Sequence, residues 1–278
     1  MDAVAPGRAI GGIAPTRIDG VAPARIEEAG LNAQQTQRQL FYDGWLLRLS
    51  PGKARRARSV NAHFGSTLPL DAKIGHCERV YAAHGLPALF RVTPFVQPAD
   101  LDDALDRRGY VAFDPTLVQV APLQPAPDRG LRAAPRSPES SAIALVAPPI
   151  DEFVRDVGAL RGSPDGQRAA HLERLARTPL ATRPIVARRD GRVVACGLAM
   201  LDGELAGIFD MLTDAASRGQ GLATRIVAEL LAWARGQSAT HAYLQVDAAN
   251  APALAVYRKF GFATAYAYHY RARPGECG

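Results

Sequence analysis

Arg218-Gly219-Gln220-Gly221-Leu222-Ala223 combines the residue types and spacing that bind a diphosphate. The segment follows a strand-like run at 205–213 and opens an amphipathic pattern that reaches about Gly236. Glycines let backbone approach a ligand with no Cβ in the way, and the free N–H groups of a first helical turn point at whatever anion lies there. Arg218 adds a fixed positive charge. A P-loop would place Lys and Ser or Thr after the last glycine, where Leu222 and Ala223 stand. A dinucleotide fingerprint would need a third glycine where the chain has Thr224. Both readings are poor, and the residues downstream decide.

A strand-like segment, Ala242–Val246, precedes Asn250-Ala251-Pro252, and Tyr257 stands four residues before Gly261-Phe262. Arg218, Gly221 and Ala223 in Arg-x-x-Gly-x-Gly/Ala register, followed by Asn250, Tyr257 and Gly261-Phe262, resemble the two signatures of the GNAT superfamily of acetyl-CoA-dependent N-acyltransferases. The likeness covers about 140–272. It implies an α/β (α+β) fold with a mixed central sheet flanked by helices, acetyl-CoA as acetyl donor, no metal, and direct attack by an amine on the thioester. By that resemblance, Arg218 and the amides of Gly219, Gln220, Gly221, Leu222, Ala223 and Thr224 hold the pyrophosphate. The pantetheine arm pairs with the backbone of Met211, Leu212 and Thr213 and is hydrogen-bonded by Asn250. One N–H of that strand faces the oxyanion, where a preorganised donor contributes roughly 3 kcal/mol.

Tyr257 is the expected general acid for the leaving thiolate, since a phenol ordinarily titrates near 10, close to a thiol. The competing reading is a core tyrosine, because Leu254, Tyr257 and Phe260 share a helical spacing. Asp210 interrupts the apolar run Ile208-Phe209-Asp210-Met211-Leu212, where an unpaired carboxylate is costly. It is either the catalytic base or an anchor for a loop or an arginine, the two readings standing level; Glu204, in a turn, is a weaker base. Tyr266, Tyr268, His269 and Tyr270 crowd the last strand, either to receive an amine through cation–π contact or to alternate into the core. The basic run Lys53-Ala54-Arg55-Arg56-Ala57-Arg58 reads as a solvated charged hairpin in preference to an anion site.

The 278 residues, 47% hydrophobic, suffice for two cores. No apolar run is long enough to cross a bilayer and no apolar leader follows Asp2, so a cytoplasmic location is expected. Cys77, Cys196 and Cys277 are too scattered for a disulfide framework or a zinc site. The net charge of +6 would suit a polyanion, although arginine-rich composition explains it as well and no nucleic-acid recognition pattern is present.

Proline and glycine recur through 1–22, an expected extension, and five prolines crowd 121–141, an expected linker. Between them a helix is expected from Arg25 to about Tyr42, strands at Gly44–Ser50 and Arg56–Ala62, and a helix at Leu70–His84. Leu89–Val92, Pro98 and Leu105–Tyr110 repeat in order the parts Tyr243–Val246, Pro252 and Tyr257–Phe262. Residues 23–120 therefore read as a degenerate copy of the catalytic half at 142–273, without the glycine loop and with Leu105 where the second half has Tyr257. The expected acceptor is a primary amine on a small molecule. A protein lysine or N-terminus, or a non-catalytic acetyl-CoA-binding regulatory module, are the alternatives, with homodimerisation left open and no membrane or nucleic-acid partner expected.

Overall fold

The computed structural model describes residues 20–36, 38–123 and 143–277. The expected extension at 1–22 and the linker at 121–141 lie almost wholly outside them. The chain opens with α1 (Pro23–Asn32), its proline at the helix start, where no N–H is needed. The helix expected to reach Tyr42 ends ten residues earlier, because Gln39–Tyr42 form β1, joined to β2 (Trp45–Arg48) through Asp43-Gly44. Both turn residues have positive φ, 43° and 82°, the signature of a tight two-residue hairpin. Arg48 then reaches back from β2 and donates to the Leu31 and Gln34 carbonyls that end α1, at 3.0 and 3.1 Å.

The strand expected at 56–62 is cut short. Arg55–Ala57 wind into a 3-10 turn and only Val60–Ala62 form β3. Then come α2 (Leu70–Ala83), β4 (Phe90–Val92), α3 (Leu101–Arg107) and the long β5 (Val111–Pro122). The second half runs β6 (Ala144–Val146), α4 (Ile150–Arg161), α5 (Asp165–Ala176), β7 (Ala181–Arg189), β8 (Arg192–Asp202), β9 (Leu205–Thr213), α6 (Leu222–Gly236), β10 (His241–Asp247), α7 (Ala251–Arg258) and β11 (Ala263–Ala272).

All of these strands join one sheet, in the order β1-β2-β3-β4-β11-β5-β10-β9-β8-β7-β6. The halves exchange their last strands. β5 leaves the first half to pair antiparallel with β10 from Thr116↔Asp247 to Pro122↔His241, while β11 crosses to pair with β4 at Phe90–Val92. The two exchanged strands lie side by side at the centre. In each half a parallel pair, β3–β4 or β9–β10, precedes the exchange.

One apolar cluster packs α1, α4 and α5 on one face through Ile26, Phe153, Val157 and Leu175. A second packs α6 and α7 on the other through Ile226, Leu230 and Tyr257. The first half has its own core around Trp45, Phe90 and Tyr110. A buried polar knot ties the halves together: Glu27 of α1 accepts both guanidinium nitrogens of Arg91 of β4 and the Tyr266 hydroxyl of β11 at 2.7 Å. Because the central strands are exchanged, residues 143–277 expressed alone should be insoluble or lack a cooperative thermal transition. Co-expression with residues 20–123 should restore a soluble complex, and a folded isolated second half would overturn this account.

Candidate functional site

β9 and β10 pair in parallel from Leu205↔His241 only as far as Ile208↔Leu244. Beyond that register the strands part, and the β10-facing edge of residues 209–213 has no strand partner among the described residues. The cause lies in β9. Its ladder with β8 slips between Cys196↔Leu212 and Leu198↔Phe209, a bulge opposite Gly197. Asp210 sits in the bulge with φ of 51°, in the left-handed region that aspartate tolerates better than bulky residues. Met211, Leu212 and Thr213 follow it, half-buried along the opened edge.

The opened edge leads to the glycine loop. Gly219 and Gly221 both have φ of 75°, and a Cβ built on either would meet nothing within 4 Å. Arg218, Gly219, Gln220 and Gly221 are exposed. The first amide to find a backbone acceptor here is Arg225, which donates to Gly221 at 3.0 Å; among the described residues the amides of Gly219 to Thr224 meet no backbone carbonyl. That is the condition of an anion cradle at a helix N-terminus. Arg189 of β7 bonds the Gln220 side chain and brings a second arginine to the loop, a residue whose place in a strand gave no sequence signal.

Asn250 caps α7, its side-chain oxygen accepting from the Ala253 N–H at 3.1 Å, so that oxygen already has a partner within the fold. Tyr257 is buried against Phe262 and the α6 face. Burial pushes its phenol up to about 12, away from the thiol range that the sequence argument assumed. The protonated form therefore persists through neutral pH, as a weaker acid.

The carboxylate of Asp210 meets Arg161 of α4 at 2.8 Å and His171 of α5 at 3.0 Å. Burial opposes its ionisation, but His171 and the guanidinium groups of Arg161 and Arg174 outweigh burial and hold its pKa far below the usual carboxylate range. Such a group is a poor proton acceptor, so this geometry favours the anchor reading over the base. Arg161 and His171, i to i+10 across a helix–helix turn, could not be assigned to Asp210 from spacing alone. Glu204 is exposed in the β8–β9 turn.

The basic segment departs from expectation. Arg56 is turned inward, not solvated: it donates to the Tyr268 hydroxyl at 3.1 Å and also bonds Gln245, the first β10 residue past the parting of the strands. Arg55 pairs with Asp114 of β5 at 2.8 Å. With Asp247 and Tyr270 they line a cleft of about 180 Å³. The tyrosines of β11 are buried, and the guanidinium over Tyr268, at 3.8 Å, is the protein's own Arg91. His269 is engaged by Asp102 at 3.0 Å. The aromatic strand therefore serves the interior, with only Tyr268 and Tyr270 reaching the cleft.

The Asp210 linkage has a definite sign. A carboxylate whose folded pKa is depressed stabilises the fold above its unfolded pKa, near 4, and that stability drains away as pH falls below it. Asp210→Asn should destabilise the protein at pH 7 by about 3 kcal/mol, since it leaves the Arg161 guanidinium facing a neutral amide. It should also flatten the loss of stability between about pH 4 and 2 in urea titrations; an acid limb as steep as that of the unaltered protein would refute the pairing.

Residues 153–262 match the model of the acetyltransferase (GNAT) family. Over 234 residues, 82% of this chain and 90% of the relative, the sequence is 26% identical to an uncharacterized N-acetyltransferase, YobR, of Bacillus subtilis. Among solved structures, a GCN5-related N-acetyltransferase from Kribbella flavida superposes with a TM-score of 0.63 at 16% identity, covering 91% of this chain and 95% of that one. A tandem GNAT protein from the clavulanic acid biosynthesis pathway gives a TM-score of 0.56 at 16% identity, over 72% of this chain and 68% of its own. Among the described residues no helix is long and apolar enough to cross a membrane. Parted parallel strands and an amide cradle fall within the residues that match, so residues 153–262 form a GNAT-family acetyltransferase domain.

Proposed function

We propose that the protein transfers the acetyl group of acetyl-CoA to a primary amine of a small molecule by direct attack within a ternary complex. The parting of β9 and β10 beside the unbonded amides of the glycine loop carries this reading. The pyrophosphate lies against Arg218 and the amides of Gly219 to Thr224. The pantetheine arm runs along the free edge of Met211, Leu212 and Thr213, adding the strand that β10 does not supply. The clefts beside α5 and at Gln245 measure about 350 and 180 Å³, dimensions that suit a small acceptor better than a folded protein surface.

The acceptor ammonium loses a proton to water in the cleft, and its nitrogen forms a bond to the thioester carbon. The carbonyl oxygen becomes an oxyanion, and a backbone N–H of the opened β9 edge stabilises it. Collapse breaks the carbon–sulfur bond; the attacking nitrogen, cationic after bond formation, gives its second proton to water, and the departing thiolate takes the Tyr257 phenolic proton, which that water then restores. Because that phenol is a weak acid, donation occurs as negative charge reaches sulfur and not before. Asp210 holds the bulge and with it the aperture.

Calorimetric titration with acetyl-CoA should give one site per chain, since residues 23–120 lack a glycine loop; a stoichiometry of two would refute the degenerate reading of the first half. Gly221→Glu, which puts a carboxylate into the cradle, should lower acetyl-CoA affinity at least 100-fold, roughly the effect of 3 kcal/mol. No binding to the unaltered protein would remove the enzyme reading's donor. Tyr257→Phe should reduce turnover by about 100-fold with acetyl-CoA affinity little changed, and unaltered turnover would take Tyr257 out of the mechanism.

A further inference from the structure

The larger cleft, about 350 Å³, lies where the α1–β1 connection, the end of β2 and one face of α5 meet. Leu49, Pro51 and Ala170 form its apolar wall, and its charged lining is Arg38, Arg174 and Arg177 against a single carboxylate, Glu173. Glu173 is in turn 3.5 Å from Arg177. Arg174 makes no hydrogen bond or ion pair with any described residue, and its Nε is fully buried without a partner. On α5 it stands three residues after His171, which touches Asp210, so the cleft opens about one helical turn from the β9 bulge. Asp210 is the carboxylate that acts on Arg174, yet it already faces Arg161 and His171, while Arg56 and Arg161 both oppose the Arg174 charge. The molecule thus gathers arginines around a half-buried space beside the reacting strand with too little negative charge to balance them.

Building on the acetyltransferase reading, we propose that the acceptor carries an anionic group, a carboxylate or a phosphate ester, and that Arg174 with Arg38 binds it in this cleft while the amine points toward the β9 bulge. A guanidinium fork matches both anions in a way that an ammonium does not. Such a site disfavours polyamines and other polycationic acceptors, which would bring further positive charge to it. Arg174 is a specificity residue that grips the far end of the acceptor; it takes no part in the chemical step.

The test pairs acceptors that share an amine and differ in charge: β-alanine against β-alaninamide, and O-phosphoethanolamine against ethanolamine, with 1,4-diaminobutane as the polycation. Turnover and calorimetric binding in the presence of CoA are both measured, so that a poor acceptor is still informative. The anionic member of at least one pair should be favoured 10-fold or more, and which pair shows it separates carboxylate from phosphate. Arg174→Gln should abolish that preference by raising KM for the anionic member and leave the neutral member and acetyl-CoA affinity unchanged. Arg38→Gln, at an exposed residue whose loss cannot unfold the core, should move the preference the same way by a smaller factor. Preference for the neutral or polycationic member, an equal effect on both members of a pair, or the absence of any Arg174-dependent binding or turnover would overturn the proposal. If acetyl-CoA binds the unaltered protein normally in those cases, only the acceptor assignment fails; if it does not bind, the acetyltransferase reading fails first.

Discussion

The exchange of β5 and β11 is the constraint on which the rest of the molecule depends. A strand buried in the middle of a sheet must satisfy N–H and C=O groups on both edges, since a buried unpaired backbone group costs as much as a lost hydrogen bond. β10 has β9 on one side only as far as Leu244, and β5 from the first half supplies the other side along its length. β11 in turn reaches β4. Neither half can complete its sheet alone, and the site inherits this arrangement. β10 can part from β9 because β5 holds it in place from the other edge.

A bulge that opens a sheet also exposes backbone to a low-dielectric interior and has to be held open. Asp210 meets that need twice, by accepting a left-handed backbone and by placing a carboxylate where α4 and α5 converge. A buried charge pair of this kind adds little stability relative to apolar packing, but it fixes geometry, since removing either partner strands the other. Cys196 adds to the same point from β8, its thiol donating to the Asp210 carbonyl at 3.4 Å. Of the two helices that receive Asp210, α5 also lines the larger cleft, so the bulge and that cleft share one helix.

Local patterns made the second half legible in the sequence. Asp190-Gly191 and Asp202-Gly203, Asp-Gly pairs between apolar runs, stand at the β7–β8 and β8–β9 turns, and the glycine loop and Tyr257 to Phe262 lie on the elements their spacing requires. Asp43-Gly44 carries the same hairpin signal in the first half, but the polar run before it has no strand-like alternation, so β1 is not legible locally. What could not be read was long-range: the strand exchange, the pairing of Asp210 with Arg161 and His171, and the inward turn of Arg56. Each depends on residues far apart in the chain, 49 positions for Arg161 and Asp210 and 212 for Arg56 and Tyr268, and no periodicity in one segment encodes its partner in another.

The excess of arginine is best understood at the same junction. Arg91 bonds Glu27, Arg55 bonds Asp114, Arg271 bonds Asp102 at 2.7 Å, and Arg25 of α1 bonds Asp202 of β8 at 2.8 Å. Two of these, Arg271–Asp102 and Arg25–Asp202, join an element of one half to an element of the other. A guanidinium is more weakly hydrated than an ammonium and offers several donors in a rigid fork, so it loses less on burial and can satisfy two acceptors at once. Arginine is therefore the cation suited to a seam that is half polar and half aromatic. Two arginines lie outside this account, Arg218 at the glycine loop and Arg174 beside the bulge, whose neighbouring carboxylate, Asp210, is already held by Arg161 and His171. Arg218 is exposed, but Arg174 is half-buried, and a poorly balanced charge kept partly out of water is costly unless a ligand completes it.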